Sequence, residues 1–272
     1  ISIIKENISL LRVIQKLVVS KVEAGTVSVV DDYRTEMEIN DLENQLALLC
    51  DNQWVLENNF RNLLDAKDDL EITVPENLPT TDFQLPRQQA LDSVINGNHQ
   101  LLELEFRQAE LSFQKRAARL SGYPDIRLGL DYILTGKGEN NLSGKDAFVF
   151  PVVGITIPLY RSKYKAMVEE VVYLEMANQN RKQDKINSLE VLFDKAWKDY
   201  MDADRRISLN ENQLELAKKS LDILETEYTS GNESFEEILR MERKLLMYNL
   251  EFEKARADKQ AAIAFMYYLM GK

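Results

Sequence analysis

The feature that most constrains the fold of this 272-residue chain is an internal repeat with an offset of 206 residues. Gly25 aligns with Gly231 and Ser28 aligns with Ser234. In both copies an acidic residue follows the glycine by six positions, an arginine by nine and a glutamate by eleven. A repeat of this kind predicts that two parts of the chain adopt the same local structure.

Heptad-spaced seams flank both glycines. Over residues 193–228 the seam positions recur at alternating steps of three and four, which is the 3.5-residue period of a coiled coil. A shorter copy covers residues 1–22, and matching seams follow the glycines over 39–63 and 238–269. The pattern therefore predicts four helices, each with one apolar stripe that must be buried.

Each repeat is predicted to be a helical hairpin, because two helices joined by a short Gly-Ser turn must fold back antiparallel if both seams are to be buried. The glycine provides the left-handed residue that ends the first helix, and the serine can cap the second. The seam is polar at Gln53 and, in the second copy, at Lys259. We expect the first hairpin over 1–67 and one helix over about 161–229, on the order of 100 Å long.

The segment between the repeats has a different character. Residues 68–86 hold three of the six prolines and predict an irregular crossover. Residues 87–119 predict another helix, less regular around 96–98. The chain has only 10 glycines and 6 prolines, which favours long elements with few turns.

Between residues 124 and 159 the periodicity changes from 3.5 to 2, which predicts two strands of about 11 to 13 residues joined by a polar loop. Strands of this length can cross a bilayer when tilted, and a two-stranded hairpin with one apolar face needs more strands or lipid. The alternative is an ordinary hairpin packed on the helices of the chain. The residues expected to face lipid are Ile126, Leu128, Leu130, Tyr132, Val153, Ile155 and Ile157.

Composition excludes several classes of function. A net charge of −11 argues against a nucleic-acid partner. The chain has one cysteine, Cys50, and one histidine, His99, so no Cys/His metal cluster and no common catalytic constellation is predicted. We expect no enzyme activity, no metal and no cofactor.

The order and spacing of these motifs resemble the TolC-like outer-membrane efflux proteins, the outer membrane factor family of Gram-negative bacteria. The resemblance rests on the two Gly-x-x-Ser-x-x-acid turns, on Gly-Tyr-Pro-Asp-Ile at 122–126, on Val-Gly-Ile-Thr-Ile-Pro-Leu at 153–159 and on Leu-Met-Gly at 269–271. Each motif is weak alone, but their order over essentially the whole chain makes the match specific.

This resemblance implies a mainly α fold of long antiparallel coiled-coil hairpins with a β-hairpin that contributes to a trimeric transmembrane β-barrel. A homotrimer would form one barrel in outer-membrane lipid and one periplasmic tunnel. Residues 124–159 would belong to the barrel, 87–123 and 160–272 to the tunnel and 68–86 to an equatorial region. The implied function is the exit duct of a tripartite efflux or type I secretion system, which receives substrates from an inner-membrane pump through a periplasmic adaptor.

The resemblance also implies where partners bind. The Gly-Ser turns would lie at the periplasmic tip, where the pore constriction candidates are Asp31, Glu237 and Arg240. The adaptor-docking candidates at this tip are Val22, Gly25, Thr26, Ser28, Tyr228, Gly231, Asn232 and Ser234.

One departure from the family concerns length. Family members carry two complete repeats, so the helix near residue 86 should have a counterpart that starts about 120 residues ahead of Ile1. We therefore expect this chain to be a fragment that lacks the first part of repeat 1. A soluble coiled-coil scaffold or interaction protein without a channel is the alternative function.

Overall fold

The computed structural model describes residues 1–66, 70–73, 78, 81–134, 147–230 and 235–272. These residues form six helices and two strands, so the predicted mainly α fold with one β-hairpin is confirmed. The predicted helix over 161–229 is also confirmed as one element of 69 residues. The elements are α1 (Ser2–Glu23), α2 (Val29–Leu63), α3 (Arg87–Gly97), α4 (His99–Leu120), β1 (Asp125–Leu134), β2 (Ala147–Thr156), α5 (Arg161–Thr229) and α6 (Phe235–Leu269).

The chain divides into two compact units. The first unit consists of Ile1–Leu85 and Asp194–Met266, and the second consists of Pro86–Phe193 and Tyr267–Lys272. The long helix α5 contributes residues to both units, as does α6. Two of the boundaries between the units therefore lie within helices, and the third lies just before α3.

The core of the first unit is built from the seams of its four helices. Helices α1 and α2 run antiparallel and are joined by an ion pair between Arg12 and Glu43 (2.6 Å) and a hydrogen bond from Gln15 to Asp32 (3.1 Å). All four helices supply apolar side chains to one cluster. Its buried members are Ile4, Ile8, Leu11, Val18, Ile39, Leu42, Leu221, Tyr228, Phe235, Ile238, Leu239 and Leu246.

The second half of the α2 seam differs from the prediction, because its residues are exposed. Leu56, Phe60 and Leu63 belong to the seam by spacing, yet Leu63 is 84% exposed. The polar contacts between α1 and α2 join Arg12 to Glu43 and Gln15 to Asp32, in the first half of α2. The heptad pattern thus marks a face that suits a helical partner, whereas burial requires that partner to lie alongside it.

The described part of the crossover packs on α5 and α6 within the first unit. The Phe83 ring lies edge-on to Trp197, with the ring centroids 5.9 Å apart. The Lys259 ammonium contacts Asp82 at 2.6 Å and Asp204 at 2.7 Å. The polar seam position of α6 is therefore an ionic junction between the crossover and two helices.

In the second unit, the helix predicted over 87–119 is two helices separated at Asn98. The backbone of Asn98 is extended, and its side-chain oxygen caps α4 by accepting a hydrogen bond from the Gln100 amide (3.0 Å). The Asn98 side-chain amide donates to the Leu269 carbonyl at 3.0 Å. At Gly97 a Cβ atom would lie 2.4 Å from the Met270 carbonyl oxygen, so only glycine allows this approach.

Polar contacts join α4 to α5 in the same unit. Lys115 pairs with Glu175 at 2.6 Å, and the buried Asn178 amide donates to the Leu104 carbonyl (3.0 Å) and to Gln108 (2.9 Å). These pairs fix the register in which the two helices pack.

The strands β1 and β2 pair antiparallel with Ile126 opposite Ile155 and Leu128 opposite Val153. This register places the predicted apolar side chains of both strands on one face. Ile157 is the exception, because β2 ends at Thr156. The predicted loop between the strands lies outside the described residues.

Candidate functional site

The turn between α1 and α2 is fixed by backbone chemistry around Gly25. This glycine has a φ of +71°, the left-handed conformation that the sequence predicts. The Thr26 amide donates to the Lys21 carbonyl (3.0 Å), and the Gly25 amide donates to the Val22 carbonyl (2.9 Å). These two bonds form a Schellman motif, which satisfies the free carbonyls at the end of α1. The turn is therefore determined locally.

Ser28 begins the second helix of the turn. Its hydroxyl oxygen accepts a hydrogen bond from the Val30 amide at 3.2 Å, so the predicted cap is confirmed. Asp31 and Asp32 follow in the first turn of α2, where a negative charge is favoured by the helix dipole. The Thr35 hydroxyl is buried and donates to the Asp31 carbonyl at 2.8 Å.

Ion pairs link the start of α2 to the start of α6. The Arg34 guanidinium lies 3.1 Å from the Glu236 carboxylate and 3.6 Å from the carboxylate of Asp31, one of the constriction candidates. It therefore links α2 to α6. Arg240 pairs with Glu237 within α6. All three predicted constriction residues thus engage in ion pairs. Sequence spacing could not reveal the Arg34–Glu236 pair, because the two partners lie in different copies of the repeat.

Tyr228 packs beneath this turn. Lys21 lies 3.8 Å from the centre of the Tyr228 ring, in cation–π geometry, and the Phe235 ring centroid lies 5.7 Å from it. Tyr228 is buried, and this burial, together with the negative charge of Asp31, raises the pKa of its hydroxyl. Its ring contacts side chains of α1 and α6 and so joins α5 to both helices. Heptad spacing indicates that Tyr228 packs between helices, but it does not predict the contact with Lys21.

The predicted docking residues fall into three groups. Gly25, Thr26 and Ser28 are exposed, and Val22 is half-buried. Tyr228 is buried as described above. The remaining three candidates, Gly231, Asn232 and Ser234, lie outside the described residues.

The β-hairpin is the second notable surface, because its apolar face is uncovered. Leu128 is 77% exposed, and its partner Val153 is 65% exposed. The hairpin therefore does not bury this face on the described helices. The other face carries Arg127 and Asp131 as expected, but β2 adds Phe150 and Val152 to it, so that face is mixed rather than polar. The exposed members of the apolar face are Ile126, Leu128, Leu130, Tyr132, Val149, Val153 and Ile155.

Among the described residues, no helix is both long and apolar enough to cross a membrane. These residues also bring together no group of three or more His, Cys, Asp or Glu side chains that could hold a metal ion.

Comparison with solved structures identifies the fold. CusC, whose structures concern folding and transmembrane channel formation, matches with a TM-score of 0.86 and 16% identity over 99% of this chain and 63% of CusC. The outer membrane protein VceC from Vibrio cholerae matches with a TM-score of 0.84 and 13% identity over 99% of this chain and 65% of VceC. The open state of the Neisseria gonorrhoeae MtrE outer membrane channel matches with a TM-score of 0.74 and 17% identity over 99% of this chain and 63% of MtrE.

No family model and no curated protein matches the sequence. The chain spans 63% to 65% of the length of the three channels described above. At identities of 13% to 17%, these likenesses establish the architecture of the chain. The chain therefore has the fold of TolC-like outer-membrane channels, as its motifs predict.

Proposed function

We propose that this chain is part of an outer-membrane channel of a Gram-negative bacterium, in which β1 and β2 cross the membrane and the helices form a periplasmic duct. The observation that carries the proposal is the uncovered apolar face of the hairpin around Leu128 and Val153. Burial of apolar surface contributes roughly 25 cal/mol per Å², so such a face is stable only in lipid or against more strands. The fold shared with CusC, VceC and MtrE supports the same function.

We further propose that the complete protein is a homotrimer. Several helices carry exposed apolar rows at coiled-coil spacing, which suit neighbouring protomers. On α4 the row is Leu102, Phe106, Phe113 and Leu120. On α5 a second row is Leu209, Leu216 and Ile223.

At the Gly25 turn, we propose the docking of a periplasmic adaptor that connects the channel to an inner-membrane pump. The exposed Gly25, Thr26 and Ser28 provide a rigid surface, because the Schellman motif and the serine cap fix their backbone. The ion-paired Asp31, Glu237 and Arg240 remain our candidates for a constriction of the duct. The compound that is exported is determined by the pump in this proposal.

The membrane role can be tested with one charge placed on either face of the hairpin in the complete protein. Leu128→Arg puts the charge on the apolar face, and the matched control Val152→Arg puts it on the other face. Charge that faces lipid costs about 2–4 kcal/mol near the bilayer midplane. We expect Leu128→Arg to abolish recovery from the outer-membrane fraction, while Val152→Arg and Asp131→Asn keep most of it. Equal recovery of Leu128→Arg and Val152→Arg would favour a water-soluble hairpin.

The docking role can be tested separately at the turn. Thr26→Arg combined with Asn232→Arg adds bulky charge and leaves both glycines and both serines in place. We expect export and crosslinking to the adaptor to fall together, while trimer yield is unchanged. Normal export by an intact trimer with both substitutions would place docking elsewhere.

A further inference from the structure

Glu242 is a carboxylate in an unusual position for a coiled-coil helix. Its side chain is 2% exposed, and neither carboxylate oxygen has a hydrogen-bond partner among the described residues. Its counterpart in the first repeat, Glu36, is exposed. Burial of an ionised carboxylate without a partner costs several kcal/mol. Ionisation of Glu242 therefore carries a desolvation cost that an exposed carboxylate avoids.

Glu242 lies on an apolar face of α6. It lies on α6 between Leu239 and Leu246, about one turn from each, and both leucines belong to the cluster of the first unit. That cluster includes side chains from α1, α2 and α5 as well. Glu242 is therefore buried on the α6 face that packs into a cluster to which four helices contribute.

Charged groups on the neighbouring helices do not neutralise Glu242. On α5 the group that acts on it is Glu225, which carries the same charge. On α2, Glu38 is paired with Arg243 at 2.5 Å. Also on α2, Asp41 lines a surface groove with Leu246 of α6 and carries the same charge as Glu242. Lys21 of α1 lies over the Tyr228 ring, and Arg34 of α2 pairs with Glu236.

We propose that Glu242 is a proton-operated switch, whose neutral carboxyl group is held within the four-helix cluster and whose ionised form opens the packing of α6 so that the carboxylate can reach water. The neutral group satisfies the apolar site, because the penalty for burial falls mainly on the charged form. The ionised group gains hydration only if α6 moves locally. This inference holds whether or not the chain forms a channel.

The direction of the pH effect follows from the same arrangement. Burial, reinforced by the negative charge of Glu225, raises the pKa of Glu242 to about 7, well above the ordinary value for glutamate. In an open state the carboxyl group has its ordinary pKa, so the closed state binds the proton more tightly. Stability of the closed packing is complete below the ordinary pKa and is lost as the pH rises through about 7.

Hydrogen exchange of the full chain measures this opening directly. After correction for intrinsic exchange, we expect the protection of amides 239–246 to fall roughly 70-fold between pH 5 and pH 8. Glu242→Gln should make the protection nearly independent of pH, because the amide does not ionise. The matched control Glu36→Gln should retain the full pH dependence.

A second measurement uses the unaltered chain, so it does not require a variant to fold. The carboxyl carbon of Glu242 in the labelled chain should titrate with a midpoint near 7. A Glu242 midpoint near 4.5 would overturn the proposal. Protection of 239–246 that does not change with pH, or that changes equally in Glu242→Gln, would overturn it as well.

Discussion

The two helical hairpins carry the same sequence pattern but differ in how much of it is buried. In α5 and α6 the seam is covered, and Leu269 is 2% exposed. Its counterpart in α2, Leu63, is almost fully exposed. Among the described residues, no helix covers the seam in the last turns of α2, whereas the α6 seam is packed along its length. A heptad seam therefore marks a face that can pair, and its burial requires a partner helix alongside it.

The polar position of the seam also differs between the two hairpins. Lys259 pairs with Asp82 and Asp204. Gln53, at the equivalent place in α2, is exposed and donates a hydrogen bond to Glu57 of its own helix at 2.8 Å. Burial opposes the charged form of Lys259, but hydrogen bonds to Asp204 and Asp82 outweigh this and raise its pKa. The same position thus serves as an ionic junction in one hairpin and as a solvated break in the other.

The largest expected effect is a difference in stability between alanine variants of two equivalent leucines, Leu269 and Leu63. Leu269→Ala leaves a cavity in packed surroundings and should lower the free energy of unfolding by about 2–5 kcal/mol. Leu63→Ala removes an exposed side chain and should change it by less than about 0.5 kcal/mol. Urea unfolding of the chain, monitored by circular dichroism, gives both values. Similar losses for the two variants would show that the α2 seam is covered in solution.

A smaller effect is expected at the turn of the first hairpin. Gly25→Ala forces a side chain into the left-handed region and should cost about 1–2 kcal/mol. Ser28→Ala removes the cap and should cost about 1 kcal/mol. Thermal unfolding of each variant checks these values, with Ser2→Ala, an exposed serine at the start of α1, as the control. If Gly25→Ala is neutral, the turn does not require a positive φ.

The smallest effect compares the polar seam positions. Lys259→Ala removes two close ion pairs, but both acidic partners are largely exposed and can be hydrated, so we expect a loss of about 1 kcal/mol. Gln53→Ala should be neutral within about 0.5 kcal/mol. The loss at Lys259 should shrink in 1 M salt, because screening weakens exposed pairs. A salt-independent loss would point instead to the contact of the Lys259 ammonium with the Tyr200 ring, whose centre lies 5.6 Å away.

Features governed by local chemistry could be predicted from the sequence. The length of α5, the left-handed Gly25, the Ser28 cap and the facing apolar side chains of β1 and β2 all follow from residue types at fixed spacing. Each depends on neighbours within a few positions or on periodicity.

Features that depend on distant partners could not be predicted. The break at Asn98 is stabilised by a hydrogen bond to Leu269, which is 171 positions away in the chain. The Arg34–Glu236 pair joins different repeats, and Glu225, whose charge acts on Glu242, lies on another helix. Periodicity specifies which face is apolar, but it does not specify what covers that face.

The proposed membrane topology can be measured most directly with cysteine accessibility in intact cells that produce the complete protein. A Cys50→Ser background removes the exposed native thiol. Asn140→Cys, between the strands, and Thr26→Cys, at the turn, then report on the two sides of the outer membrane. With a maleimide that does not cross membranes, we predict labelling of Asn140→Cys in intact cells and of Thr26→Cys only after the outer membrane is permeabilised. Labelling of Thr26→Cys in intact cells, or protection of Asn140→Cys until permeabilisation, would contradict a hairpin that crosses the outer membrane.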